Sequence, residues 1–288
     1  MTNADKNRIK DKMFGYFGMA CTFFGIFMLL IFLSDIVISG WQKVDFDFLS
    51  SFPSSRPKKA GIYPALIGTL WILGLTAIIA LPIGIAAGVY FEEYAKKSKM
   101  ANFLEINLAN LAGVPSIIYG LLGLQIFVRT LNFGTSILSG ACTLALLILP
   151  IIIVSTREAL KAVPDSIRQA SYGMGANTWQ TIWHQVLPAS SGGIITGIIL
   201  AISRAIGETA PLIVIGAATY ITYIPEDAMS NFTVLPMQIY DWVGMPETPD
   251  GDYKTISSAG IIVLLMITFL LNGIAVFLRN RWQKKVKW

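Results

Sequence analysis

The sequence predicts an all-α, polytopic membrane protein with six transmembrane helices. Of its 288 residues, 54% are hydrophobic and only 14% are charged, whereas an average soluble domain carries roughly 25% charged residues. Uncharged apolar stretches recur along the chain, and about 20 such residues are enough to cross a bilayer as a helix. Because these stretches lack the alternating apolar and polar residues of barrel strands, helices are predicted rather than a barrel.

The chain contains six apolar stretches, and it is predicted to form one transmembrane domain over residues 1–288. The first stretch is too long for the hydrophobic part of a signal peptide and precedes no cleavage motif, so we expect it to be retained. The predicted spans are residues 14–38, 62–90, 104–128, 133–156, 189–218 and 256–279. Two long connections separate them, an amphipathic inner loop at 157–187 and an acidic outer loop at 219–254.

Lysines and arginines predict the orientation, because cytoplasmic loops are enriched in them. Fifteen of the 22 basic residues lie in the N-terminal segment, the C-terminal tail and the connections at 96–99 and 157–168. Both termini are therefore expected in the cytoplasm. The exceptions on the outer side are Lys43, Arg56, Lys58, Lys59, Arg129 and Lys254. The positive charge thus reflects topology and contact with membrane lipid, and it does not predict nucleic-acid binding.

The inner loop is predicted to form two short helices bent at a glycine. Proline and an acid at Pro164 and Asp165 favour a helix start, and Gly173 and Gly175 are expected to end that helix. Asn177 and Gln180 have the spacing of a capping box for a second helix. Its predicted apolar stripe is Trp179, Ile182, Trp183 and Val186, and Pro188 is expected to end it and open the fifth span. Such an element is either an interfacial anchor or a docking site for a cytoplasmic partner.

This loop resembles the coupling-helix loop of permease subunits in type I ABC importers. That loop reads E-A-A, three residues, G, nine residues, I, one residue, L-P. The residues in register here are Gln169, Ala170, Ser171, Gly175, Leu187 and Pro188. Gln169 replaces the acid, Ser171 the second alanine and Gln185 the isoleucine. The resemblance implies the type I ABC importer permease fold, with this loop inserted into a cleft of an ATP-binding subunit.

Three further strings narrow the resemblance. Residues 81–90 read LPIGIAAGVY, residues 111–124 read LAGVPSIIYGLLGL, and residues 204–212 read RAIGETAPL. Together they resemble the PstA-type permeases of bacterial phosphate importers, over nearly the whole chain. The resemblance implies a subunit that moves inorganic phosphate across a bacterial or archaeal cytoplasmic membrane. Its implied partners are a second homologous permease in a heterodimer, a dimer of ATP-binding subunits and an extracytoplasmic phosphate-binding protein.

The fifth predicted span carries an isolated pair of opposite charges. Arg204 and Glu208 are the only charged residues from 185 to 225, and charges within a span are costly and mark a pathway or a paired site. Their spacing places both on one helical face, and Pro211 predicts a kink beside them. We assign Arg204, Glu208 and Thr209 to the substrate pathway, with an ion pair that only joins spans as the alternative. Possible further pathway residues are Pro115, Ser116 and Tyr119.

The outer loop is a predicted landing surface for a soluble binding protein. Its length and acidity suggest this role, with Tyr240 and Trp242 as anchors. A solvated acidic loop without a partner is the alternative.

Catalytic function is not predicted. His184 is the only histidine, and the chain lacks the motifs of metalloproteases and serine hydrolases. It also lacks a Walker A string, so ATP and Mg²⁺ are expected on the partner ATPase, and neither cofactor nor metal on this chain. A secondary transporter or channel for a small anion remains the alternative, followed by an intramembrane enzyme.

Overall fold

The structure, a computed structural model, describes residues 3–95, 103, 106–108, 110–246 and 251–283. Within them the chain is mostly helical, which confirms the all-α prediction. The helices are α1 (Asn3–Gly40), α2 (Phe46–Ser50), α3 (Tyr63–Val89), α4 (Ser116–Gly123), α5 (Ile137–Lys161), α6 (Asp165–Gly173), α7 (Thr178–Thr181), α8 (Leu187–Ile206), α9 (Ala210–Ile215), α10 (Leu235–Val243) and α11 (Tyr253–Gln283). Wider π-helical turns follow α3 at Tyr90–Tyr94 and α4 at Leu124–Thr130, and a third joins α7 to α8 at Ile182–Val186.

In the described part of the chain, five helices are long and apolar enough to cross a membrane, and a shorter apolar helix accompanies them. The five are Lys10–Lys43, Tyr63–Tyr94, Ile137–Lys161, Thr178–Ile206 and Tyr253–Arg281, and the shorter one is Ser116–Thr130. The first, second, fourth and sixth predicted spans fall on the corresponding helices. Part of the third span, at 104–105 and 109, lies outside the described residues, as do the lysines at 96, 97, 99, 284, 285 and 287.

The main core lies where α3, α5 and α8 pack together. α5 contributes most to it, because Leu144, Ile148 and Ile152 are completely buried there. α1, by contrast, packs on α11 near its C-terminal end, where Gly40 lies against the backbone of Ser258. The remaining apolar surface of α1 is exposed, so it is suited to hydrocarbon or to another membrane subunit.

The fifth predicted span is broken rather than kinked. α8 ends at Ile206, residues 207–209 are not helical, and α9 resumes at Ala210. Pro211 lacks an amide proton and its ring crowds the carbonyl four residues back. Because Gly207 at that position also has little helical preference, the backbone leaves the helix and starts a new one.

The third predicted span is broken as well. A turn occupies residues 112–114, where the Gly113 amide donates to the Asn110 carbonyl (3.0 Å), and α4 starts after Pro115. Residues preceding proline are disfavoured in the helical conformation, so the helix stops before Pro115.

Pro188 does not end the second inner-loop helix, contrary to the sequence prediction. The helix runs without interruption over Thr178–Ile206. Pro188 follows the π-helical turn Ile182–Val186 and occupies the first turn of α8, a position at which proline is tolerated.

A second core lies at the end of the bundle that is predicted to face outward, and it corrects one predicted anchor. Phe48, Ile62, Trp242 and Tyr253 are buried there together. The acidic loop contains the amphipathic helix α10, whose apolar face lies on this core, so Trp242 is only 3% exposed and cannot anchor a soluble partner. Tyr240, on the opposite face of α10, is exposed.

Candidate functional site

The two broken helices meet each other in the structure. α4 packs against α9 so closely that a Cβ atom on Gly120 would lie 2.7 Å from Cα of Pro211. The Tyr119 hydroxyl donates to the Leu111 carbonyl across the first break (2.8 Å). Segments distant in sequence thus bring two helix interruptions to one region.

Arg204 and Glu208 form an ion pair beside the second break. Arg204 Nε lies 3.4 Å from Glu208 Oε1, and 39% of the arginine side chain is exposed against 16% for the glutamate. Arg204 belongs to the last turn of α8, whereas Glu208 lies in the interruption. The guanidinium therefore has free surface with which to meet a ligand while the carboxylate holds one of its edges.

The other predicted pathway residues begin the helices that follow the breaks. Thr209 is half-buried, and its carbonyl accepts the amides of Leu212 and Ile213 (both 3.1 Å). Pro115 is exposed and Ser116, the first residue of α4, is half-buried. The structure therefore pairs Arg204 with Glu208, and it places Thr209 at the second break and Pro115 and Ser116 at the first.

We expect Gly120→Val to separate α4 from α9. Any side chain at this position meets the Pro211 backbone, which cannot move aside as a flexible side chain would. Overpacking of this kind costs roughly 1–3 kcal/mol. Thermal unfolding of the purified protein should show a lower midpoint for Gly120→Val, and Gly74→Val, which meets no atom within 4 Å, serves as the control. An equal midpoint for both variants would contradict the close packing.

The inner loop has the two-helix form that its sequence predicts. Gly175 has a φ of +86°, which ends the α6 segment in the left-handed region. Asn177 Oδ1 accepts the Gln180 amide (2.8 Å) and Gln180 Oε1 accepts the Asn177 amide (3.0 Å), so the capping box is present. The hydroxyls of Ser171 and Thr181 lie 2.9 Å apart and join the two helices.

The surface of this loop is apolar to an unusual degree for an exposed element. Met174 is 89% exposed. The rings of Trp179 and Trp183 stack with centroids 5.6 Å apart, and both side chains are exposed. The predicted apolar stripe is thus divided, because Ile182 and Val186 are buried. The predicted docking residues Gln169, Ala170, Gly175 and Pro188 are exposed, whereas Ser171 and Leu187 are half-buried.

A charged contact that the sequence analysis missed fixes this loop to the bundle. Arg168 of α6 lies 2.7 Å from Glu93, with side chains only 14% and 7% exposed. The guanidinium also donates to the carbonyls of Val163 (2.7 Å) and Leu160 (3.0 Å). The Glu93 hydrogen bonds raise the pKa of Arg168 above its ordinary value. The available clue was a pair of acids, Glu92 and Glu93, at the basic inner face.

Within the described ranges, no group of three or more His, Cys, Asp or Glu side chains is placed to hold a metal ion. The chemistry that the arrangement supports is recognition of an anion beside Arg204 and contact with a protein at the apolar loop.

The fold and its exposed loop define the membrane-spanning permease subunit of an ABC importer. Residues 80–284 match the binding-protein-dependent transport system inner membrane component. The phosphate transport system permease protein PstA of Mycobacterium leprae is 34% identical over 96% of this chain and 91% of its own length. PstA of Yersinia pestis is 32% identical over 93% and 89%. The chain therefore belongs to the binding-protein-dependent transport family and, within it, to the PstA-type permeases.

A solved structure shares this fold at low sequence identity. A bacterial alginate ABC transporter, in complex with an alginate pentasaccharide-bound periplasmic protein, has a chain that aligns with a TM-score of 0.66. The alignment covers 94% of this chain and 96% of that chain at 15% identity. Likeness at this identity bears on the fold alone.

Proposed function

We propose that this chain is the permease subunit through which an ATP-driven importer moves inorganic phosphate across the cytoplasmic membrane of a bacterium or archaeon. The observation that carries the proposal is the half-exposed Arg204, paired with Glu208 where two broken helices meet. The choice of phosphate as the substrate follows from the similarity to the PstA phosphate permeases. Both termini and the inner loop lie in the cytoplasm under this proposal.

Arg204 binds the phosphate oxyanion. Its planar guanidinium offers several N–H donors in a fixed fork, which fits two oxygens of a tetrahedral anion at once. At neutral pH phosphate keeps at least one proton, and Glu208 accepts a hydrogen bond from it. Sulfate has no proton to donate and is repelled by the carboxylate, so the same residue adds selectivity through repulsion.

Energy enters through the inner loop. Met174, Trp179 and Trp183 form an exposed apolar surface that an ATP-binding subunit covers. ATP and Mg²⁺ bind to a dimer of those subunits, because this chain has no Walker A string. A second homologous permease completes the pathway, and an extracytoplasmic phosphate-binding protein delivers the substrate.

Reconstituted vesicles test this function. Vesicles containing both permeases and the ATPase dimer should accumulate phosphate only when ATP is inside and phosphate-loaded binding protein is outside. Accumulation without ATP, driven by an ion or phosphate gradient, would support the alternative of a secondary transporter or channel.

We expect Glu208→Gln to weaken discrimination between phosphate and sulfate. The amide keeps the size of the side chain and removes the negative charge that repels sulfate. The sulfate concentration that halves the uptake of labelled phosphate should fall by about tenfold, the equivalent of roughly 1.4 kcal/mol. Glu226→Gln, which removes an exposed carboxylate outside the spans, is a control for charge alone. Unchanged competition in Glu208→Gln, with normal assembly, would remove Glu208 from substrate selection.

A further inference from the structure

The first helix of the inner loop, α6, lies between two interruptions of the helical backbone. It follows α5 after the non-helical residues 162–164, and it ends before Gly175, whose φ is +86°. α7, by contrast, continues into α8 within the uninterrupted helix Thr178–Ile206. α6 carries the predicted docking residues Gln169 and Ala170, both of them exposed. Because α6 does not continue as a helix at either end, its position relative to the bundle depends on side-chain contacts.

One side chain of α6, Arg168, contacts two other helical segments at once. Its Nε and Nη2 atoms donate to the Glu93 carboxylate (3.2 and 2.7 Å), which lies in the turn that follows α3. Nη2 also donates to the Leu160 carbonyl (3.0 Å) in the last turn of α5. Nη1 donates to the Val163 carbonyl (2.7 Å) and to Asp165 Oδ1 (3.4 Å). The five N–H groups of the guanidinium therefore all have acceptors, and this single group joins α6 to the ends of α3 and α5.

The ends of α3 and α5 that Arg168 contacts are closely packed against each other. A Cβ atom on Gly88 of α3 would lie 2.7 Å from the side chain of Thr156 of α5, so the two helices approach through a residue without a side chain. Beside this contact, Arg157 Nε lies 3.6 Å from Glu92 Oε2. A closely packed interior has low compressibility and transmits displacements rather than absorbing them. Arg168 thus attaches α6 to a pair of helices that moves as a unit.

We infer that Arg168 is a positioning residue for transport: through Glu93 it makes α6 move together with α3 and α5 when an ATP-binding subunit displaces the inner loop. The inference rests on the proposed function, in which such a subunit covers this loop. Arg168 acts from the side of α6 that faces the bundle, because its side chain is only 14% exposed. Without this contact, α6 turns about residues 162–164 and Gly175, and the displacement is lost within the loop.

Stability alone is a poorer explanation of this buried ion pair. The cost of removing two charges from water offsets much of their mutual attraction, so such a pair adds little net stability. The loop also has an apolar attachment, since Ile167 packs against the buried side chains of Leu160, Val163 and Val186. The ion pair adds a defined orientation, because a guanidinium and a carboxylate join in a fixed, two-pronged geometry. We therefore expect its loss to leave the loop folded and the ATPase attached.

The test compares phosphate import with ATP hydrolysis in vesicles that contain the assembled importer and phosphate-loaded binding protein. We expect Arg168→Ala and Glu93→Ala each to lower the phosphate imported per ATP hydrolysed by about tenfold. The half-saturating concentration of binding protein and the amount of attached ATPase should not change. The double variant should be no worse than the more affected single variant, since both changes remove the same contact. Asp165→Asn is the matched control, because it changes the 87% exposed partner of the same guanidinium and should couple normally.

A covalent link in place of the ion pair separates attachment from charge. Cys21 and Cys142 are first replaced by alanine, and Arg168→Cys with Glu93→Cys then introduces two thiols at the positions of the pair. A short reagent with two thiosulfonate groups joins these thiols through disulfides, which a reductant cleaves again. We expect this variant to be uncoupled before the reaction, coupled after it, and uncoupled once more after reduction.

Three results would overturn the inference. The first is an unchanged ratio of imported phosphate to hydrolysed ATP in Arg168→Ala. The second is loss of the attached ATPase in both single variants, which would assign the pair to the folding of the loop. The third is a link that forms, as shown by the mass of the protein, and restores no coupling, which would mean that charge rather than attachment matters. If the unmodified complex imports no phosphate, the proposed function fails; if it imports phosphate and these variants couple equally well, only this inference fails.

Discussion

Arg204→Ala is expected to reduce phosphate uptake by at least about 100-fold while the ATPase subunits stay attached. A hydrogen bond to a charged group contributes about 1.5–3 kcal/mol, so losing a two-pronged contact with phosphate corresponds to about 100-fold or more. Here the loss falls on the substrate, because the half-exposed guanidinium is the group that meets the anion. Uptake of labelled phosphate by vesicles containing the assembled complex measures the effect.

Two further variants define the role of Arg204. Arg204→Lys keeps the charge but loses the two-pronged geometry, so it should remain strongly impaired. Arg129→Ala, at an exposed position beyond α4, removes an arginine that takes no part in the pair and should transport normally. Near-normal uptake by Arg204→Ala would mean that, in the unmodified protein, the ion pair only joins the two sides of the break.

Gly175→Val is expected to uncouple ATP hydrolysis from transport or to prevent attachment of the ATPase. The backbone at Gly175 has a φ of +86°, and the left-handed conformation costs an ordinary residue roughly 1–2 kcal/mol, with more expected for a β-branched one. We expect the substituted loop to relieve this strain by moving its two helices relative to each other. The exposed tryptophans then no longer match their partner. Binding-protein-stimulated hydrolysis and phosphate uptake are measured on the same vesicles.

Gly173→Val is the matched control for this change. Like Gly175, Gly173 has no atom within 4 Å of an added Cβ, but its φ is not positive. Gly175→Asn is expected to retain much of the coupling, because asparagine accepts the left-handed conformation better than valine does. Coupled transport at the unmodified level in Gly175→Val would show that the bend is not needed for docking.

The features that the sequence predicts well are local ones. The apolar length of α1, α3, α5 and α11 and the capping box of Asn177 and Gln180 depend on neighbouring residues alone. The helix breaks are predicted less well. At Pro211 the sequence predicts only a kink, whereas the structure has a complete interruption between α8 and α9. A proline or glycine shows where a helix is weak, but the packing of α4 on α9 is formed by residues distant in sequence.

In the candidate site, too, local features are predicted from the sequence and contacts between distant residues are not. Arg204 and Glu208 could be singled out because they are isolated charges in an apolar stretch, and the structure brings them into contact. The burial of Trp242 could not be foreseen, since it depends on Phe48 and Ile62 from another connection. The contact between Arg168 and Glu93 joins residues 75 positions apart, and in a single sequence no periodicity links them.

The unbroken helix Thr178–Ile206 connects the inner loop directly to Arg204. Its 29 residues extend over about 43 Å at 1.5 Å per residue. A tilt of about 5° about the inner end therefore displaces the outer end sideways by about 4 Å. The movement of α9 with the end of this helix is restricted, because Pro211 packs closely against Gly120 of α4. Such a displacement would fall on residues 207–209, which are not helical, so a small rotation of the inner loop would change the distance between the Arg204 guanidinium and the Glu208 carboxylate.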